Sequence, residues 1–122
     1  MSDLTKYEQT LLDGWEDVHK KAQLTLWILL ALKDAPRHMV EIKTFIGERT
    51  NDTISADDKS MYRALRRFAD ADLIDFEAEA SESGPDKKRY YLTGIGRKTL
   101  TAFLERNIQD VFLNPDNKKL FN

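Results

Sequence analysis

Lys59, Arg63 and Arg66 recur at spacings of four and three, which places them on one side of a helix. With Met61 at the origin and about 100° per residue, Leu65 and Phe68 fall within about 40° of it, whereas Lys59, Arg63 and Arg66 fall near 160°, 200° and 140°. The cations therefore lie opposite an apolar stripe, with Tyr62 on its flank. Three like charges on one face repel one another and give the helix nothing. A polyanion relieves that repulsion, and an exposed helix of this kind fits the roughly 12 Å wide major groove of duplex DNA. In that setting Arg63 or Arg66 pairs with a guanine edge, Ser60 reaches a base or a phosphate, and Lys59 and Tyr62 hold the backbone. Arg67 completes the cluster. Taken alone, the same face is also an ordinary solvated helix surface.

A second basic group, Lys87, Lys88 and Arg89, follows the turn-rich stretch Ser81-Glu82-Ser83-Gly84-Pro85-Asp86. Cations at a hairpin tip can reach a flanking minor groove or phosphates; lysines on an edge strand also protect it against aggregation. Between the basic groups lies an acidic block, Asp70, Asp72, Asp75, Glu77, Glu79 and Glu82. Its presence, with Asp57 and Asp58, argues against a uniformly DNA-facing surface.

The elements that must position these residues follow from periodicity. Residues 4–21 carry Leu4, Tyr7, Leu11, Leu12, Trp15 and Val18 at helical spacing, and residues 22–33 are apolar almost all round, the mark of a buried central helix. Pro36 stops it. A further helix spans about 37–49. After the polar loop Thr50-Asn51-Asp52-Thr53, the cationic helix runs over 55–71, opened by a capping box at Ser55-Ala56-Asp57-Asp58. From Leu73 to Ala80 the period becomes two, with Ile74, Phe76, Ala78 and Ala80 inward, and Lys88–Leu92 forms the returning strand. Thr93 caps a last helix ending near Asn114-Pro115. The tail 115–122 is expected to be flexible.

Composition bounds the function. The chain has 122 residues, 41% of them hydrophobic and 33% charged, which describes one globular domain. Its net charge of −2 shows that any affinity for nucleic acid must come from local patches. There are no cysteines, so thiolate metal sites, disulfides and cysteine nucleophiles are excluded. The only histidines, His19 and His38, are separate, which does not suggest a metal site; His38 is expected to pack or cap. No glycine-rich phosphate loop or nucleophile elbow is present. No catalysis and no cofactor are expected. The start Met1–Lys6 lacks the features of a signal peptide, and the longest apolar run, Leu26–Leu32, is far short of the roughly 20 residues that span a bilayer, so no membrane association and a cytoplasmic location are expected.

The chain resembles the PadR-like winged helix-turn-helix transcriptional regulators, in particular the short members with a single C-terminal helix. The likeness covers about residues 22–105. It rests on Leu24-Thr25-Leu26-Trp27-Ile28-Leu29-Leu30-Ala31-Leu32, on Pro36-Arg37-His38-Met39-Val40-Glu41-Ile42, on Ser60-Met61-Tyr62-Arg63-Ala64-Leu65-Arg66-Arg67-Phe68 with Asp72-Leu73-Ile74, and on Lys88-Arg89-Tyr90-Tyr91-Leu92-Thr93 with Gly96-Arg97. The chain departs from the family pattern at Met39-Val40, usually Gly-Tyr, at Arg63, usually proline, and at Asp72, usually glycine. Aspartate at that last position must tolerate a left-handed backbone. The resemblance implies a dimeric repressor with Tyr62 and its basic neighbours on DNA. It further implies a small-molecule effector pocket at the dimer interface, near Trp15 or Trp27.

The resulting expectation is a mainly α fold with a small β-hairpin. It comprises an N-terminal helix (1–21), a winged helix-turn-helix (22–93), a C-terminal dimerisation helix (94–114) and a tail. Double-stranded DNA is read by a homodimer through Lys59, Ser60, Tyr62, Arg63, Arg66 and Arg67 on the recognition helix and Lys87, Lys88 and Arg89 on the wing (81–89). Leu11 and Trp15, with Leu100, Phe103, Leu104, Ile108, Val111 and Phe112, form the dimer seam. The alternative is a winged-helix protein-interaction module without DNA readout. It would be favoured if Lys59, Arg63 and Arg66 paired internally with Asp70 or Glu82.

Overall fold

A computed structural model describes residues 3–122; Met1 and Ser2, which open the predicted N-terminal segment, lie outside the described residues. The chain runs α1 (Lys6–Asp34), β1 (Arg37–His38), α2 (Met39–Arg49), α3 (Asp58–Asp70), β2 (Ile74–Glu79), β3 (Lys87–Leu92) and α4 (Gly94–Leu104). A π-helical turn (Glu105–Gln109) continues α4, and a short α5 (Pro115–Lys118) leads into a 3-10 turn (Lys119–Phe121). This is the helix, helix, helix, hairpin, helix order of a winged helix, with added helices at both ends.

Several expectations about the elements are corrected, among them the last helix, predicted to reach Asn114, which is α-helical only to Leu104 and π-helical from Glu105 to Gln109. The two predicted N-terminal helices are one helix of 29 residues. Nothing between Val18 and Leu24 interrupts it, since Lys20-Lys21-Ala22-Gln23 are all good helix formers. Thr5 opens it through a capping box in which its hydroxyl accepts from the Glu8 amide at 3.1 Å and the Glu8 carboxylate accepts from the Thr5 amide at 2.8 Å. The cationic helix starts later than predicted. Asp57, not Ser55, is its N-cap, its carboxylate accepting from the Ser60 amide at 2.7 Å. Strand β2 is half-buried only at its start: Ile74 is buried, but Phe76 is 37% exposed and Ala78 is exposed, because the hairpin projects beyond the core. The tail is not structureless, since Asn114 caps α5 and Phe121 packs back on Phe112 with ring centroids 6.0 Å apart.

The sheet has the order β1-β3-β2, all antiparallel, with Arg37 opposite Tyr90 and His38 opposite Arg89 on one side and Phe76 opposite Tyr90 on the other. The two-residue β1 replaces the first turn of the helix predicted from Arg37. Pro36 fixes this: Ala35, just before it, is extended at φ −166° and ψ 156°. Arg37 then turns its guanidinium back onto the end of α1, donating to the Ala31 carbonyl at 2.5 Å and pairing with Asp34 at 2.8 Å. That is favourable charge placement at a helix C-terminus.

Ile28 and Leu32 of α1, Ile42 of α2, Met61 and Leu65 of α3 and Ile74 of β2 are the largest fully buried side chains. Leu92 and Tyr90 close the core from β3 and Leu100 from α4. Two backbone devices set the exit of α3. Asp72 adopts the left-handed conformation at φ 63°, as its place in the pattern required, and the Leu73 amide reaches back to the Phe68 carbonyl at 3.0 Å. Thr93 caps α4 as expected, and its hydroxyl also donates to the Asp72 carbonyl at 2.6 Å.

The first turn of α4 meets the residue before β2 so closely that a Cβ on Gly96 would lie 1.9 Å from the Leu73 carbonyl oxygen. Gly14, mid-helix in α1, has nothing within 4 Å of the same added atom. Gly96→Ala should therefore destabilise the fold by about 2 kcal/mol or more, whereas Gly14→Ala should stabilise it by up to about 1 kcal/mol. Denaturant melts of the two variants check this pair.

Candidate nucleic-acid interface

Burying Met61, Ala64, Leu65 and Phe68 turns the opposite side of α3 to solvent. Lys59, Tyr62, Arg63, Arg66 and Arg67 are all exposed, Tyr62 to 54%, and Ser60 is half-buried. Among the described residues no ion pair engages Lys59, Arg63, Arg66 or Arg67; neither Asp70 nor Glu82 takes one of them. Arg67 lies toward the flank, its guanidinium 5.4 Å from the Phe68 ring centroid.

The two aspartates at the start of α3 are occupied elsewhere. Asp57 serves as the cap, and that hydrogen bond from the Ser60 backbone, helped by nearby Lys59 and Arg63, holds its carboxyl below the usual aspartate range. Asp58 pairs with Lys43 of α2 at 2.6 Å, tying the first helix of the helix-turn-helix to the second. Sequence reasoning missed Lys43, because nothing in the linear pattern links it to a residue 15 positions away. The turn between α2 and α3 is made by Asn51 and Asp52, both left-handed at φ 52° and 60°.

The wing meets α3. Lys88 points to the α3 side of the sheet, with its ammonium 4.5 Å from the Phe76 ring centroid, and it shares a hollow with Tyr62, Arg66 and Tyr90. A larger cleft of about 610 Å³ opens between the start of α2 (His38–Glu41), Tyr62 and the wing residues Pro85–Lys88. Helix and wing thus form one continuous surface, with Lys87 and Lys88 exposed along it. Met39 and Val40, where the chain departs from the resembled pattern, line the cleft, and Val40 is 68% exposed.

Arg89 does not join that surface. Its Nε donates to Glu79 at 2.5 Å, its Nη2 lies 3.0 Å from His38 Nε2, and its Nη1 lies 4.0 Å from Glu41. The hydrogen bond with Glu79 raises the Arg89 pKa and lowers that of Glu79. Arg89, expected among the DNA-facing residues of the wing, is engaged here with carboxylates, because alternation along β3 turns it away from Lys88 and toward α2. His38 caps α2 from the backbone, its amide donating to Glu41 at 2.9 Å. An acid three residues after His38 was the one sequence signal for this cluster.

Of the predicted dimer residues, Leu11 and Trp15 are exposed, Trp15 to 75%, on the half of α1 that precedes the core. Phe103, Val111 and Phe112 are also exposed; Leu104 and Ile108 are half-buried. Leu100 is 2% exposed and belongs to the protomer's own core, so it has no surface to offer a partner. Leu113, Leu120 and Phe121, outside the prediction, add to the exposed apolar surface beside Phe112. No described helix is long and apolar enough to cross a membrane.

Comparison with known proteins agrees with this fold. The transcriptional regulator PadR-like family matches residues 28–102. The chain is similar to a PadR-like transcription factor from Bacteroides fragilis, at 26% identity over 88% of this chain and 98% of that one, TM-score 0.67. It is also similar to Bacillus subtilis PadR in complex with operator DNA, at 26% identity and TM-score 0.62, covering 69% of this chain and 48% of that one. The chain thus spans about half the length of that protein. A PadR family regulator from Eggerthella lenta, 16% identical, shares the fold over 95% of this chain and 97% of that one, TM-score 0.75. No curated protein matches the chain in sequence.

The Asp57 cap yields a prediction with a sign. Its folded-state pKa is depressed, so its contribution is present above the ordinary aspartate value of about 3.9 and is lost as pH falls through the depressed value. Asp57→Ala should lower the melting temperature at neutral pH, and Asp57→Asn, which keeps a capping oxygen, should restore most of the loss. Thermal melts at neutral and acid pH read both effects.

Proposed function

The chain belongs to the PadR-like family of transcriptional regulators, and on that premise we propose that it binds duplex DNA as a homodimer and represses transcription. The observation that carries the reading is the cationic face of α3. Its arginines and lysine are exposed and without ion pairs among the described residues, although acidic side chains lie within reach in sequence. A surface destined for solvent or for a neutral protein gains nothing from holding these charges apart from the nearby carboxylates; a phosphate backbone does. The complex of Bacillus subtilis PadR with operator DNA supports the same use of this fold.

In this reading α3 enters the major groove. Arg63 and Arg66 face base edges, while Lys59, Ser60, Tyr62 and Arg67 hold phosphates and set register. Lys87 and Lys88 of the wing contact flanking DNA, and Arg89 supports the wing from behind. Twofold pairing through Leu11 and Trp15 with Phe103, Leu104, Ile108, Val111 and Phe112 would set two recognition helices about 34 Å apart, one turn of DNA. The α1 arm supports pairing. Tyr7, Leu11, Trp15 and Val18 remain exposed over a stretch of helix that contacts no core of its own, more apolar surface than a monomer comfortably leaves wet.

Two measurements check this. Arg63→Ala with Arg66→Ala should weaken binding to genomic duplex fragments about tenfold or more, with the melting temperature unchanged, since each well-made arginine–guanine pair discriminates by about 1–3 kcal/mol. Unaltered binding would remove this face from the interface. Trp15→Glu with Phe112→Glu should convert a sedimenting dimer to monomer, since both side chains are exposed in the protomer and outside its core. A dimer that persists would place the seam elsewhere.

A further inference from the structure

His38 stands at the root of the wing between a hydrogen-bond donor and an acceptor that it cannot serve together. Its Nδ1 lies 3.2 Å from the Lys88 carbonyl oxygen, which can only accept, so Nδ1 carries a hydrogen. Its Nε2 lies 3.0 Å from Arg89 Nη2, a donor, and 3.2 Å from a Glu79 carboxylate oxygen, an acceptor. In the neutral ring Nε2 has a lone pair and takes the Arg89 bond. In the protonated ring Nε2 carries a hydrogen and takes Glu79 instead, leaving the guanidinium facing a like charge. One proton therefore decides which side chain of the wing His38 holds.

The surroundings support such an exchange. From α2, Glu41 stands 3.9 Å from Nε2; from β2, Glu79 stands at 3.2 Å; from β3 come Arg89 and the Lys88 carbonyl. Glu77, opposite Arg89 in the sheet, and Lys87, near Glu79, add their fields, and Asp86 and Tyr62 line the same cleft. Arg37, the neighbour of His38, is turned away to Asp34 at the end of α1. With the ring neutral, Glu41, Glu79 and Arg89 leave the cluster one charge negative. With the ring protonated the cluster is balanced. The added charge favours a phosphate beside the wing.

We propose that His38 is a proton-operated positioning residue: it exchanges Arg89 for Glu79 on protonation, and so couples the wing, and DNA affinity with it, to pH. The coupling to affinity rests on the DNA-binding reading above; the partner exchange does not. The test is NMR on the full chain between about pH 8 and pH 5, the range in which imidazole changes charge. It follows the Arg89 guanidinium nitrogens and the Glu79 carboxylate carbon, in wild type and in His38→Gln, with Glu79→Gln as a second variant should the first fold poorly. Expected is movement of both resonances together with the His38 ring in wild type, and loss of that joint movement in His38→Gln; in Glu79→Gln, which has no carboxylate carbon, the Arg89 nitrogens alone are followed and their movement with the ring should be smaller. Resonances that stay flat through the ring's titration, or that move equally without His38, overturn the exchange.

The second reading is affinity for a genomic duplex at constant salt. Wild type should gain about threefold on acidification beyond any gain in His38→Gln, the size of one exposed charge–charge interaction. An exchange seen by NMR with no difference in affinity overturns the coupling. Absence of duplex binding at every pH overturns the DNA-binding reading and the coupling with it, while the resonances still decide the exchange.

Discussion

Burial of one side of α3 is the constraint on which the rest depends. Met61 and Leu65 are all but inaccessible, packed with Ile28, Leu32, Ile42 and Ile74 from three other elements. Each such side chain contributes roughly 1.5–3 kcal/mol when removed from water. Turning the helix by even one residue step, about 100°, would bring Met61 and Leu65 toward solvent and arginine toward the core. No arrangement of the surface repays that. The outward direction of Lys59, Arg63 and Arg66 is thus a consequence of packing, and it is set before any partner arrives.

The ends of α3 turn that direction into a position. At its start, Asp57 caps the helix and Asp58 binds Lys43, so the two aspartates that would otherwise meet an incoming phosphate are spent on holding α2 and α3 together. At its end, the left-handed Asp72 reverses the chain into β2, and the close approach of Gly96 to Leu73 locks the hairpin against α4. Lys88 consequently shares a hollow with Tyr62 and Arg66. The outer face of β3 has the opposite task. Arg89, Glu79, His38 and Glu41 join the wing to the start of α2, which sets the angle at which Lys87 and Lys88 are presented.

Much of this was legible in the sequence wherever a local pattern had a single physical solution. Met61, Leu65 and Phe68 at helical spacing fixed the stripe of α3, Pro36 fixed the stop after α1, and Thr93 fixed the start of α4. Asp72, standing where the resembled family has glycine, announced a left-handed residue, and it is one. Patterns open to two solutions were misread. Ser55-Ala56-Asp57-Asp58 offers two capping residues, and Asp57 wins because its carboxylate reaches the Ser60 amide. The change in character near residue 21 suggested two helices, but an exposed half and a buried half of one helix differ in the same way. Alternation in β2 suggested a buried face as far as Ala80, whereas a hairpin that outruns the core alternates with nothing to cover it. Arg89 could not be separated from Lys87 and Lys88, because its partners are distant in the chain and meet it only once the sheet forms.

The central claim is that the joined surface of α3 and the wing exists to neutralise a phosphate backbone. The dependence of duplex affinity on salt measures this most directly, because each neutralised phosphate contributes about 0.9 to the slope of log affinity against log salt concentration. For two protomers, each presenting the free cations of α3 with Lys87 and Lys88, a slope of magnitude about 4 or more is predicted, with binding tight at low salt. An affinity indifferent to salt, or no binding to duplex even near about 50 mM salt, would contradict the account and turn the same face toward a protein partner.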